Sequence, residues 1–91
     1  MMEDTVHVKF EAMTSATGEP IGVICSLHDL EKHTRYLAGV RMHNDSEVWY
    51  CKKKTFSSSM PLNDKEMNDI FEQYNLKDQM LNAWKDISNH D

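Results

Sequence analysis

The chain is short of the residues from which cofactor and catalytic sites are built. It has three glycines among 91 residues, so no GxGxxG or Walker-type loop exists to let backbone amides cradle a phosphate. Its two cysteines, Cys25 and Cys51, form no Cys-x-x-Cys pair, which removes both the zinc knuckle and the redox dithiol. No apolar run approaches the length that crosses a bilayer, and the opening Met-Met-Glu-Asp lacks the basic-then-apolar pattern of a signal peptide. Few thiols and no leader pattern lead us to expect a reducing, cytoplasmic setting. Bases are also scarce: ten Lys and Arg stand against fifteen Asp and Glu, for a net charge of −5.

What is present is most legible from Leu62 to Ser88, a helical arm. Met67, Ile70, Phe71 and Tyr74 recur at three- and four-residue spacing and share one face of a helix. Asn63 is placed to N-cap it, with Glu66 as capping-box partner and Leu62 and Met67 as a hydrophobic staple. The same phase carried onward would turn Asp78 and Lys85 toward the core. The later apolar set, Leu76, Met80, Leu81, Trp84 and Ile87, lies on another side. Asn tolerates the left-handed conformation that ends helices, so two segments, about 64–74 and 76–87, are expected with a bend near Asn75. The alternative is one continuous helix that is apolar on two faces.

Ahead of the arm the period changes from 3.6 to two. Val6, Val8, Phe10 and Ala12 alternate with polar neighbours as in a half-buried strand. Thr14–Glu19 reads as a turn, and Pro20 opens a second strand, Ile21–Leu27, apolar enough to be central. From His28 to Gly39 two readings compete. Ser26 and Asp29 could cap a short inserted helix within 27–38. As a loop and strand, Tyr36, Ala38, Val40 and Met42 alternate with Arg35, Leu37, Gly39 and Arg41, which accounts for more positions. A polar turn at His43–Glu47 then leads into Glu47–Phe56, the most β-prone run. The expectation is one α+β domain over 1–91: an antiparallel meander of about four strands (5–56), a serine-bearing linker (57–61) and the arm (62–88) covering one sheet face.

Several residue sets carry chemistry of interest. Cys25, His28, His33, His43 and Cys51 are zinc-ligand types, but their spacings are irregular and His33 and His43 fall at opposite ends of one strand; neither a metal nor another cofactor is expected. Cys25 with His28, or Cys51 with His43, would be the nucleophile–base pairs of a thiol enzyme, yet neither has a helix N-terminus or glycine turn to activate a thiolate, and no enzymatic activity is expected. Lys52, Lys53 and Lys54, following Trp49 and Tyr50, form the concentrated basic run; strand lysines beside aromatics suit single-stranded nucleic acid, and lysines also protect sheet edges.

Charge divides the chain unevenly. Eight acids and seven bases precede residue 61; seven acids and three lysines follow it. Asp69 and Glu72 face away from the arm's apolar stripe, as a solvated helix face would or as a contact for a basic partner. Seven methionines add adaptable apolar surface. Trp49 and Trp84 are the aromatic candidates for a partner contact, and a second aromatic-bearing sheet face suggests a homo-oligomer. The reading is a small protein–protein interaction module, an inhibitor or adaptor that occupies a partner's surface through Asp69, Glu72, Trp49 and Trp84. The alternative is a nucleic-acid-binding protein using Lys52, Lys53 and Lys54.

Overall fold

The computed structural model describes residues 5–43 and 46–88. Five antiparallel strands follow one another in space as in sequence: β1 (Val6–Thr14), β2 (Pro20–Asp29), β3 (Thr34–His43), β4 (Ser46–Lys54) and β5 (Ser59–Pro61). Two helices follow, α1 (Asp64–Gln73) and α2 (Leu76–Ser88). The class is α+β, with a meander sheet and a C-terminal helical arm as the periodicities require.

Between His28 and Gly39 the loop-and-strand reading is the one the chain adopts, while the strand count and the end of the fourth strand depart from the sequence reading. No helix interrupts 27–38: β2 runs to Asp29, residues 30–33 turn the chain, and β3 pairs with β2 from Asp29↔Thr34 onward. The turn is closed by His33 at φ 56° and by the Lys32 N–H donating to Asp29 Oδ1 at 3.1 Å. Asp29 is thus a turn residue rather than a helix cap. The strands number five because the serine-bearing linker is partly ordered as β5, paired to β4 through Lys54↔Ser59, Lys53↔Met60 and Lys52↔Pro61. The fourth strand ends at Lys54 instead of reaching Phe56. There Thr55 turns the chain, its hydroxyl accepting from the Ser58 N–H at 3.0 Å. The polar turn expected at His43–Glu47 includes positions 44 and 45, which lie outside the described residues.

The arm bends where expected. Asn63 Oδ1 accepts from the Glu66 N–H at 2.8 Å and the Glu66 carboxylate accepts from the Asn63 N–H at 3.1 Å, closing the capping box. Asn75 takes φ 54° between the helices, and the Gln79 side-chain amide donates to the carbonyls of Tyr74 (2.8 Å) and Asn75 (3.1 Å), satisfying acceptors that the broken helix leaves open.

The two helices cover one sheet face. Its cross-strand rows are Phe10–Cys25–Ala38–Cys51 and Ala12–Val23–Val40–Trp49, with Val8, Leu27 and Tyr36 alongside. Phe71, Leu76 and Met80 come down onto them to complete the buried core. α2 rests on β2 and β1. α1 reaches the β3–β4 side, where Phe71 meets Trp49 edge-on at 5.4 Å between ring centroids and Tyr74 lies 6.1 Å from Tyr36.

Candidate binding surfaces

The sheet has a second face with no helix on it. Strand alternation and register give four rows across β1–β4: His7–His28–Arg35–Lys54, Lys9–Ser26–Leu37–Lys52, Glu11–Ile24–Gly39–Tyr50 and Met13–Gly22–Arg41–Val48. Among the described residues this face carries Lys9, Arg35, Arg41, Lys52 and Lys54 against the single carboxylate of Glu11. Lys9 pairs with Glu11 at 3.5 Å, which leaves the other four cations without a carboxylate partner among the described residues. An acidic protein has therefore gathered half of its bases on one open surface.

The charge is graded along the strands. The end row is cationic or imidazole at every position, and with Lys9 and Ser26 it lines a shallow groove of about 410 Å³. Toward the other end Ile24, Leu37, Tyr50 and Val48 form an apolar band. Glycine at position 39 makes room for it, because a Cβ there would meet the Tyr50 ring at 2.3 Å. Val48 is 55% exposed in this band. Beyond Lys54, at the tip of the β4–β5 hairpin, Phe56 projects wholly into solvent at 107% exposure. The tip lies at the same end of the sheet as the cationic row.

The residues singled out from sequence are distributed over this architecture. The lysine run splits by strand alternation: Lys52 and Lys54 are exposed on the open face, whereas Lys53 is half-buried on the helix side, beside Tyr36. Trp49 belongs to the covered face. Its indole N–H donates to Glu47 at 3.1 Å, its ring packs on Phe71 of α1, and Lys77 Nζ of α2 sits 5.3 Å from its ring centroid, so it anchors the arm. Trp84 is half-buried against the core from α2. Asp69 and Glu72 are both exposed on α1 but border different grooves, Asp69 with Lys53 and Glu66, Glu72 with Asn68 and Lys77. Asp69 and Glu72 are three residues apart on the exposed side of α1, whereas Trp49 and Trp84 pack against the core beneath the helices.

The cysteine–histidine pairs are kept apart. Cys25 faces the core and His28, three residues on, faces the open side; Cys51 and His43 are separated in the same way. Burial pushes both thiols up to about 11, which holds them protonated and unreactive at neutral pH. Among the described residues no group of three or more His, Cys, Asp or Glu could hold a metal ion. The perturbed pair is Asp29 and Tyr74. The Tyr74 hydroxyl donates to Asp29 Oδ2 at 2.6 Å, and that bond, followed by the Lys32 N–H, holds the Asp29 carboxyl below its usual range. Burial and the neighbouring carboxylate raise Tyr74 well above the ordinary phenol range. This bond latches the end of α1 to the end of β2.

Sequence reasoning did not find His7, Lys9, Arg35, Arg41 or Phe56 as site residues. Each strand's alternation was readable, but only the register sets His7 beside His28 and Arg35 beside Lys54. No protein-family model matches the chain, and neither a curated protein nor a solved structure shows significant similarity to it.

Proposed function

We propose that the protein is a small binding module, an adaptor or inhibitor, that occupies the surface of an anionic macromolecule with the open face of its sheet. One observation carries this reading: Arg35, Arg41, Lys52 and Lys54 share an exposed surface with no carboxylate partner among the described residues, on a chain of net charge −5. Like charges gathered this closely repel one another, and an anionic partner relieves that repulsion on binding. The apolar band of Ile24, Leu37, Tyr50 and Val48 supplies contact area beside the charges, the combination that interfaces use for affinity and register.

The acidic outer side of the arm is the second candidate surface, as expected for Asp69 and Glu72. It interleaves Lys65 and Lys85 with its acids, whereas among the described residues the open sheet face has one carboxylate against five cations. The open face is also ill-suited to a two-fold pairing with a second copy, which would set Arg35, Lys52 and Lys54 of one chain against the same groups of the other. The test is affinity capture from a native extract, with and without nuclease, followed by mass spectrometry. The triple variant Arg35→Glu, Lys52→Glu, Lys54→Glu should lose the partner that the wild type retains, while Asp69→Lys with Glu72→Lys should keep it. The reverse pattern moves the interface to the arm.

A further inference from the structure

We infer that the partner of the open face is single-stranded nucleic acid, with phosphates along the His7–His28–Arg35–Lys54 row and bases over the neighbouring apolar residues. This rests on the reading that the open face is the binding surface and goes on to name its ligand. Three independent features point to this chemistry. The row runs straight across four strands, about 14 Å at ordinary strand spacing, with imidazoles on β1 and β2 and the Arg35 and Lys54 charges on β3 and β4, and lines a continuous groove with Lys9 and Ser26. A track of this shape fits a chain of regularly spaced anions better than isolated carboxylates on a folded surface. Arg35 supplies a planar fork matched to phosphate oxygens, and the lysines supply point charges.

The second feature is apolar surface beside that row. Leu37 stands in the next row between Ser26 and Lys52, and in the row after it Ile24 and the Tyr50 ring, which lies over Gly39, share the face with Glu11. Backbone on one strip and base on the other is the division that single strands present, whereas duplex DNA turns its base faces inward and offers a flat sheet only phosphates. The third feature is Phe56. A phenyl ring wholly in water at a hairpin tip, immediately beyond Lys54, is a stacking platform at the end of the phosphate track. An acidic peptide would use the charges and leave that ring unused.

The experiment is fluorescence anisotropy of the full chain with labelled single-stranded DNA and RNA of about 12 nucleotides, a length within the usual range for small modules. A matched duplex and polyglutamate serve as competitors. Single strands should bind at low salt and weaken roughly 20- to 50-fold between 50 and 200 mM, the dependence given by three or four phosphate contacts. Arg35→Ala with Lys54→Ala should abolish most of this binding. Phe56→Ala should weaken it about fivefold or more, and Lys53→Ala should leave it unchanged. All but Lys53 are exposed, and circular dichroism confirms that each variant folds.

Polyglutamate bound in preference to any oligonucleotide, with the Arg35→Ala, Lys54→Ala variant losing it, overturns the nucleic-acid assignment and leaves the open-face reading standing. Duplex bound as well as single strand, with Phe56→Ala silent, also overturns it, because the contact is then charge alone. No binding to any of these four polyanions at 20 mM salt overturns both readings.

Discussion

Phe71 and Phe56 are the same side chain in opposite surroundings, 2% and 107% exposed. Phe71→Ala removes a ring packed on Trp49 at the centre of the helix–sheet contact and should cost about 3–5 kcal/mol in urea denaturation. Phe56→Ala removes nothing that the fold packs against and should change stability by less than about 0.5 kcal/mol. The pair separates a ring kept for folding from one available for contact. Asp29 and Tyr74 form the residue-scale latch. Because the folded-state pKa of Asp29 is lowered, its contribution is present in full above the ordinary carboxylate range, about 3.9, and is lost as pH falls through the depressed folded value. Tyr74→Phe removes the main cause of that shift. Acid titration followed by circular dichroism should therefore give a flatter loss of stability below pH ~4 for the variant than for the wild type.

At the scale of elements, Asn75 decides the shape of the arm. Its φ of 54° lets α2 start in a new direction and bury Leu76 and Met80, which a continuous helix would turn elsewhere. A β-branched residue is strained in that conformation and glycine is not. Asn75→Val should cost about 1–3 kcal/mol more than Asn75→Gly, read as the difference in urea midpoints. On β4, alternation makes neighbouring lysines unequal. Changing Lys52 and Lys54 together should weaken binding to the anionic partner, while the same change at Lys53 should not, as measured by titration at fixed low salt.

The whole molecule is electrically two-sided, with a basic open sheet and a more acidic arm on the opposite face. Such a distribution orients an approaching polyanion toward the sheet and raises the encounter rate in a salt-dependent way. Removing negative charge from the far side with Asp69→Lys and Glu72→Lys should leave association with an anionic partner as fast as before, or faster, in stopped-flow measurements at low salt. Slower association would assign the arm a direct role. The same field should hold copies of the chain apart through their sheets. In sedimentation velocity, sheet-to-sheet association should accordingly be weakest at low ionic strength and strengthen as salt screens the repulsion, whereas sheet-to-arm association would weaken with salt.

Local chemistry was enough to read much of this protein. Asn63 and Glu66 announce a helix start because capping bonds span only three residues. The two-residue period of Val6–Ala12 and Tyr36–Met42 announces strands because it is a property of extended backbone. The phase break at Asn75 announces a bend because apolar residues must face a core. What the sequence could not decide was anything that depends on register. On β4 both alternate sets are mixed, Trp49 and Cys51 on one side and Val48 and Tyr50 on the other, and only the docking of Phe71 on Trp49 determines which side is covered. The 57–61 stretch has no periodicity of its own, and Ser59–Pro61 within it becomes a strand because β4 offers it a free edge. The basic face is the clearest case. His7, His28, Arg35 and Lys54 are scattered over the chain and carry no common local signal; they form one row because burying the apolar partners of each strand beneath the helices sets which side each strand shows and the connecting turns set the register.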